Sequence, residues 1–191
     1  MMYPHSRPAS ACHELPSPEA LKAKLAALPS THMVRVLYAE HDRILAMLSE
    51  MGELVTRMQT SAELGSNGIA RIHELAHLLI EAEPHHQREE DVLFPELEKQ
   101  GLNGPPQAMS AEHVELRRLK HEIHDISASA VLDAGAKQQL ARAARTLVNN
   151  LQLHIHKENE ILYPLALSVI TGDDAWNRLN AAADAIGPCP F

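Results

Sequence analysis

Two stretches of this sequence are near copies of each other and decide the fold: HHQREEDVLFP at residues 85–95 and HIHKENEILYP at residues 154–164. They start 69 residues apart and share His, Glu, Leu and Pro at matching positions. A shorter pair precedes them, because Ala-Glu-His at residues 39–41 recurs at residues 111–113. Similar segments at a fixed spacing predict a chain built from two similar helical hairpins.

Four long segments show the periodicity of amphipathic helices. Apolar residues recur every three or four positions from residue 31 to the glycines at 65 and 68, and again over 69–99, 107–127 and 137–169. Pro84 inside the second segment predicts a kink or a restart of that helix. Because the connections are short, the predicted fold is all-α, an up-and-down antiparallel four-helix bundle with short N- and C-terminal extensions.

This pattern divides the chain into three parts. Residues 1–30 form a proline-rich lead with one short helix, which begins at Pro18 after the capping residue Ser17. Residues 31–170 form the bundle, and residues 171–191 form a short helix and a tail.

Composition excludes several classes of protein. The chain has 191 residues and a net charge of −8, which speaks against a nucleic-acid partner. Its longest uncharged apolar stretch, residues 161–170, is shorter than the roughly 20 residues of a membrane-spanning helix. The N-terminus has no apolar core of a signal peptide, so we expect a cytoplasmic protein with no membrane partner. Cys12 and Cys189 are too far apart in sequence for a Cys-x-x-Cys pair and are predicted to be free thiols in mobile tails.

The 13 histidines direct attention to metal binding. His154 and Glu158 occupy successive positions of the apolar seam of the fourth helix, where an unpaired carboxylate would be strongly unfavourable. The repeat supplies His85 and Glu89 as their counterparts. Helical periodicity alone equally allows the neighbouring pair, His86 and Glu90.

His41 and His113 complete the candidate site, since each lies in the apolar stripe of its helix and the repeat makes them equivalent. Four imidazoles and two carboxylates from four helices can hold two transition-metal ions, with the two carboxylates as bridges. Two divalent ions and two carboxylates leave a positive charge that favours an oxo, a hydroxo or another anionic bridge. Iron suits this mixed nitrogen and oxygen set best, and manganese or zinc are alternatives. No organic cofactor is predicted.

At these residues the chain resembles the hemerythrin-like, HHE cation-binding family. The resemblance rests on HHQREEDVLFPELEKQG, MSAEHVELR and HIHKENEILYP and, with His41, covers roughly residues 31–167. It implies a non-haem di-iron centre in a four-helix bundle and favours the 85/89 register. The ligand positions that it implies are His41, His85, Glu89, His113, His154 and Glu158. It also implies a protein that binds, senses or reacts with dioxygen, nitric oxide or peroxide, in a stress response or in iron handling.

Two departures from the oxygen-carrying members bear on this function. Those carriers have a second histidine one turn after the first on the third helix, where this chain has Arg117. They also place the last carboxylate five residues after its histidine, where this chain has Asn159. The set of four His and two Glu is similar to di-iron proteins that repair iron–sulfur clusters. Those proteins carry a cysteine-bearing N-terminal domain, and this chain has only Cys12 there.

One motif supports an alternative function. His73-Glu74-Leu75-Ala76-His77 matches His-Glu-x-x-His, in which two histidines bind zinc and the glutamate activates water. This predicts a zinc-dependent hydrolase. Such enzymes align their substrates on a sheet, and the sequence has no strand pattern, so we interpret His73 and His77 as a partly solvated pair beside the main site.

Overall fold

The computed structural model describes residues 17–60, 66–129 and 131–191. Within these ranges every regular element is helical and no strand is present, which confirms the all-α prediction. Most of the proline-rich lead, including Cys12, lies outside the described residues. Among the described residues, no helix is both long enough and apolar enough to cross a membrane.

The described residues contain nine α-helices and two short π-helical turns. The α-helices are α1 (Pro18–Ala27), α2 (Met33–Thr60), α3 (Ser66–Glu81), α4 (Glu83–Arg88), α5 (Phe94–Lys99), α6 (Gly104–Ser127), α7 (Ala134–Lys157), α8 (Tyr163–Val169) and α9 (Asp173–Ile186). The π-helical turns are Glu89–Leu93, between α4 and α5, and Glu158–Leu162, between α7 and α8.

Side-chain caps and prolines set the helix starts. The Ser17 hydroxyl accepts a hydrogen bond from the Ala20 amide at 3.3 Å, as the sequence predicts. The Asp133 carboxylate does the same for Ala136 at 2.8 Å, so α7 begins three residues earlier than the periodicity indicated. The periodicity predicts the third long segment from residue 107, but α6 already begins at Gly104, because prolines fit the first turn of a helix, where no amide donor is needed.

Prolines also interrupt the second and fourth long segments. The predicted break near Pro84 lies at Ala82, between α3 and α4. The two π-helical turns each end directly before a Phe-Pro or Tyr-Pro pair. Proline has no amide hydrogen and its ring clashes with the carbonyl four residues earlier, so the preceding turn widens. The amides of Phe94 and Tyr163 bond instead to the carbonyls of Glu89 and Glu158, five residues back.

The long helices enclose two apolar clusters with a polar layer between them. Helix α3 packs on α6, α6 on α7, α7 on α2 and α2 on α3. One apolar cluster includes Leu48, Leu79, Leu116 and Leu151, and the other includes Leu37, Leu93, Met109 and Leu162. On each long helical segment, the candidate ligands lie between the residues of one cluster and those of the other. The order of the two clusters alternates from one segment to the next.

Candidate metal centre

The six predicted ligand residues come together in the polar layer. All six are buried: His41, His85, Glu89, His113, His154 and Glu158. Donor atoms from these residues, together with His86, form three groups in which they lie within 4.8 Å of one another. Among the described residues these are the groups of His, Cys, Asp and Glu with the proximity that a metal ion requires.

The four imidazoles form two pairs whose Nε2 atoms face each other. The Nε2 atoms of His41 and His85 are 3.1 Å apart, and those of His113 and His154 are 2.9 Å apart. Each pair combines a histidine of the first helix of one hairpin with a histidine of the second helix of the same hairpin. The repeat in the sequence therefore corresponds to two similar half-sites.

Two carboxylates connect these half-sites. Glu158 places one oxygen 3.2 Å from His41 Nε2 and the other 2.8 Å from His154 Nε2. Glu89 Oε2 is 3.7 Å from His85 Nε2 and 3.6 Å from His113 Nε2. The hydroxyl of Tyr163 donates a hydrogen bond to the other Glu89 oxygen at 2.8 Å. Both carboxylates thus span the two imidazole pairs, as bridging ligands do.

The two buried carboxylates differ in the direction in which their pKa values are shifted. Burial, and then the charge of Glu158, raises the pKa of Glu89 well above its usual range. Burial also disfavours ionised Glu158, but His154, His113 and His41 outweigh it and lower its pKa well below its usual range. Glu89 Oε2 and both oxygens of Glu158 are buried without a hydrogen-bond donor. Acceptor atoms of this kind, beside facing imidazole nitrogens, fit a transition-metal site.

Outer residues hold each imidazole by its other ring nitrogen. The Nδ1–H of His85 donates to Glu40 and that of His154 donates to Glu112, both at 2.8 Å. The remaining two Nδ1 atoms each donate to a residue that directly follows Glu89 or Glu158: His113 to Glu90 at 2.7 Å, and His41 to Asn159 at 2.8 Å. Such partners fix the ring orientation and leave Nε2 free for a metal.

These outer acceptors carry their own counter-charges. Arg88 donates to both oxygens of Glu40 at 2.7 Å. Although burial opposes ionisation, the hydrogen bond from His85 and the charge of Arg88 lower the pKa of Glu40 to about 2. Glu90 has a pKa of about 2 as well, because His113 and Arg117 outweigh its burial. Glu40 and Glu90 are therefore negative at neutral pH and strengthen their imidazoles as ligands.

The residues with this geometry also carry a family signature. The profile described as "Hemerythrin HHE cation binding domain" matches residues 32–166, which is most of the chain. This chain belongs to the hemerythrin HHE cation-binding family. Iron binding follows from membership of the family together with the His and Glu clusters.

Curated relatives of this hemerythrin-like chain carry a functional name. "Iron-sulfur cluster repair protein YtfE" of Yersinia pseudotuberculosis serotype IB (strain PB1/+) is 28% identical over 172 residues, covering 78% of this chain and 77% of the relative. The protein of the same name from Yersinia pestis (strain Pestoides F) matches with the same identity and coverage.

Sequence reasoning missed the outer residues of this hemerythrin-like centre. Glu40 and Glu112 directly precede His41 and His113 in the Ala-Glu-His repeat, but each serves the histidine of another helix. The repeat itself was the available signal, because it preserves the glutamate as well as the histidine. Tyr163 could be recognised less easily, since its counterpart is Phe94, which has no hydroxyl.

His85 and His86, between which helical periodicity alone could not choose, are both buried. His85 faces His41, and His86 stacks on His113 with ring centroids 3.9 Å apart. Glu89 is fully buried between the imidazoles, whereas Glu90 is half-exposed and bonds to the outer nitrogen of His113. The geometry around the bridging carboxylates therefore favours the 85/89 register and adds His86 as an extra buried imidazole.

Arg117 and Asn159, the two residues at which this chain departs from the oxygen carriers, both lie among the outer residues of the cluster. The guanidinium of Arg117 donates to both Glu83 and Glu90 at 2.7–3.1 Å. It is thus held away from the facing imidazoles and supports His113 only through Glu90. Asn159 accepts the hydrogen bond from His41, the role that Glu90 has in the other hairpin.

The His-Glu-x-x-His motif does not form a metal site. The ring nitrogen Nδ1 of His73 donates to the backbone carbonyl of His124 at 3.0 Å, and its ring stacks on that of His124. Glu74 forms an ion pair with Arg71. Within the described part of the chain, neither His73 nor His77 is in a group that could hold an ion. The structure gives no support to the zinc hydrolase.

Cys189 differs from its prediction. It is a free thiol, as expected, but it is buried rather than part of a mobile tail. Its sulfur contacts the Arg88 guanidinium at 3.5 Å, and its backbone amide donates to Glu40 at 3.5 Å. The end of the chain packs here because the Glu40–Arg88 pair offers it hydrogen-bonding partners next to apolar surface.

Proposed function

We propose that this protein is a non-haem di-iron protein with six ligands: His41, His85, Glu89, His113, His154 and Glu158. Its outer acceptors are Glu40, Glu90, Glu112 and Asn159. The alternation of the two apolar clusters along successive helices supports an up-and-down bundle as the scaffold of this site.

One observation carries the proposal. Two imidazole pairs, each with facing Nε2 atoms, are joined by two fully buried carboxylates, and three of their four oxygens lack a hydrogen-bond donor. Burying such atoms without partners is strongly unfavourable, and two metal ions between them would satisfy every one. The four outer hydrogen bonds support the same conclusion, because each one occupies Nδ1 and leaves the lone pair of Nε2 free to bind a metal ion.

The reaction that we propose is with a small ligand: dioxygen, nitric oxide or peroxide. The bound iron would supply exchangeable electrons and coordination positions open to such a ligand. The residues of the chain hold the imidazoles in place, keep bulk water away through the two apolar clusters, and place the Tyr163 hydroxyl on Glu89. These features suit a buried centre reached only by small molecules.

The relatives suggest the cellular role. Their name supports repair of iron–sulfur clusters under stress, with iron–sulfur proteins as partners. The set of four His and two Glu, which resembles that of di-iron repair proteins, supports the same role.

Metal content tests the site. We expect the purified iron-loaded protein to bind about two iron ions per chain. His154→Ala should lower that number, because the bridging and terminal contacts of its half-site both depend on His154. His73→Ala is the matched control, since this histidine lies outside the cluster. Unchanged iron content in the His154→Ala protein would contradict the proposal.

Anaerobic addition of each ligand to the reduced protein tests the reaction. We expect nitric oxide, dioxygen or peroxide to change the optical spectrum of the wild type and not that of His154→Ala. Recovery of a nitric-oxide-damaged iron–sulfur enzyme, measured with and without the protein, then tests repair. A spectrum that none of the three ligands alters would rule out this function while leaving iron binding intact.

A further inference from the structure

Each half-site has an outer pair made of a glutamate and a cation. The glutamate accepts the hydrogen bond of a ligand histidine, and the cation holds the glutamate. The two outer pairs are Glu40 with Arg88 and Glu112 with Lys157. They occupy equivalent positions of the repeat, because each glutamate belongs to Ala-Glu-His and each cation follows a ligand histidine by three residues. A difference in their surroundings therefore comes from contacts that the repeat does not supply.

Solvent reaches one outer pair and hardly touches the other. The side chains of Glu40 and Arg88 are 11% and 4% exposed, whereas those of Glu112 and Lys157 are 37% and 29% exposed. Glu112 and Lys157 also line an open groove of about 240 Å³ between α6 and α7. Since Glu112 orients His154, this groove brings water to within one residue of that half-site.

Residues that follow α9 cover the other outer pair. Gly187 has φ 93° and ψ 168°, a backbone conformation that residues with a side chain rarely adopt, and there the chain turns back onto the bundle. Cys189 is then buried against the pair. Its amide donates to Glu40 at 3.5 Å, and the Arg88 guanidinium donates to its sulfur at 3.5 Å. Residues Gly187–Cys189 form what we call the C-terminal strap.

The C-terminal strap belongs to one half-site only. The Cys189 thiol donates to the carbonyl of Ala82, directly before the helix that carries His85, at 3.7 Å. Helix α9, from which the strap continues, packs mainly against α2, α4 and the π-helical turn after α4. None of the strap residues lines the groove beside Glu112. The strap also lies outside residues 32–166, the part of the chain that the family profile matches.

Covering an outer acceptor slows the loss of a metal ion. Release of an ion needs the imidazole to turn away and another ligand to take its place. An outer acceptor that is fixed and dry opposes this, because it holds Nδ1 and keeps the ring oriented. An acceptor in contact with water loses its hold more easily, since water can accept the same hydrogen bond. Local openings of this kind are less frequent where the side chains are buried.

We propose that the C-terminal strap makes the two metal positions unequal in exchange. The ion between His41 and His85 is retained by the strap, and the ion between His113 and His154 is labile. One ion per chain can therefore pass to an external iron acceptor while the other stays in place. This inference rests on the proposed di-iron function and adds to it which of the two ions exchanges.

Transfer of iron from the reduced, iron-loaded protein to an excess of a ferrous chelator tests the inference. We expect two phases of about equal amplitude in the absorbance of the chelate, with rates about tenfold or more apart. Release of both ions in a single phase would overturn the inference. Iron content, measured first, separates the two proposals: no iron in the wild type overturns both, whereas two ions released in one phase overturn only this one.

Gly187→Ala tests whether the strap causes the difference. Alanine strains the turn at φ 93°, so we expect the slow phase to become about tenfold faster and the fast phase to keep its rate. Gly101→Ala is the matched control, because Gly101 also has a positive φ, of 84°, but lies in the turn between α5 and α6. It should leave both phases unchanged. Equal acceleration of both phases by Gly187→Ala would indicate general loosening and would contradict the inference.

Alkylation of Cys189 in the metal-free protein gives a second, independent measurement. The thiol is 6% exposed, so a reagent reaches it when the strap opens. We expect faster alkylation in Gly187→Ala than in the wild type, at the same helix content, with the Cys189 peptide followed by mass. If the two rates are equal, a chain that ends at Ile186 replaces this variant in the chelator experiment. An unchanged slow phase in the protein without the strap would overturn the inference.

Discussion

At the scale of single residues, the outer hydrogen bonds decide how well the centre is ordered. Each imidazole is held by one acceptor, and these acceptors come from two sequence positions: directly before a histidine or directly after a bridging glutamate. Three of them are carboxylates, which support their imidazoles with charge as well as geometry. Asn159 is the exception, so His41 is held by a neutral partner. The two half-sites therefore differ in charge although they share a geometry.

Removing one outer acceptor should weaken metal binding without unfolding the protein. We expect Glu112→Ala to lower iron affinity about 10- to 100-fold, because His154 loses the partner that orients its ring. Glu112 is partly exposed, so its removal leaves no buried charge behind. Competition with a chelator measures the affinity.

Glu115→Ala is the control for that variant. Glu115 lies on the same helix, one turn further on, and its carboxylate pairs with the exposed Arg118 instead of a ligand. Its loss should leave iron affinity at the wild-type value. An equal effect of both substitutions would show that α6 is sensitive to charge in general and that Glu112 has no specific role.

At the scale of elements, the π-helical turns place the two carboxylates that span the imidazole pairs, Glu89 and Glu158. Each turn begins at the bridging glutamate and ends before a residue followed by proline. The widened turn shifts the residues after it relative to an α-helix. Glu89 and Glu158 can therefore face the centre while the residues after them still fit the apolar cluster that includes Leu93 and Leu162. The two interruptions of the helices are thus part of the site.

Restoring an amide at one of these prolines should disturb the site. Pro164→Ala supplies an N–H that can bond to the carbonyl of Glu160, four residues earlier, which favours an α-helical turn over the π-helical one. We expect Glu158 to move and iron affinity to fall, while the overall helix content from circular dichroism stays the same. Pro190→Ala, in the exposed part of the C-terminal segment, is the control. Wild-type iron affinity in Pro164→Ala would show that proline does not maintain the turn.

At the scale of the whole molecule, we expect folding and metal binding to be coupled. The polar layer lies between two apolar clusters that pack without metal, so the helices should survive its removal. The buried carboxylates lose their charge partners in the metal-free protein, and this makes the folded state less stable. Because a ligand that binds only the folded state stabilises it, the bound metal adds to the free energy of unfolding.

Melting temperatures of metal-free and iron-loaded protein measure this coupling. We expect the loaded form to melt about 5–10 °C higher. Free metal at 100 times its Kd stabilises the folded state by about 2.7 kcal/mol. Each kcal/mol raises the melting temperature of a chain of this size by about 2–4 °C. Far-ultraviolet circular dichroism of the two forms should nearly coincide at 25 °C. A loaded form that melts at the same or a lower temperature would contradict the predicted coupling.

Much of this molecule follows from local sequence, because helical periodicity and a repeat are properties of neighbouring residues. The seam positions of His154 and Glu158, the equivalence of His41 and His113, and the break near Pro84 could all be read from spacing alone. The π-helical turns were not predicted, although the prolines that end them are visible in the sequence. The predicted start of the third long segment at residue 107 is three residues later than that of α6, because the periodicity does not include the prolines of its first turn.

Only the tertiary structure decided which residues meet across the bundle. Glu40 lies beside His41 in sequence but bonds to His85, and Arg117 is bound by Glu83 and Glu90. Periodicity fixes the face of a helix on which a side chain lies, but not the height or rotation at which a second helix packs against it. For the same reason, Lys120 could not be distinguished by its sequence from a solvated lysine. Its burial beside the cluster comes from the packing of α3, α6 and α7 around it.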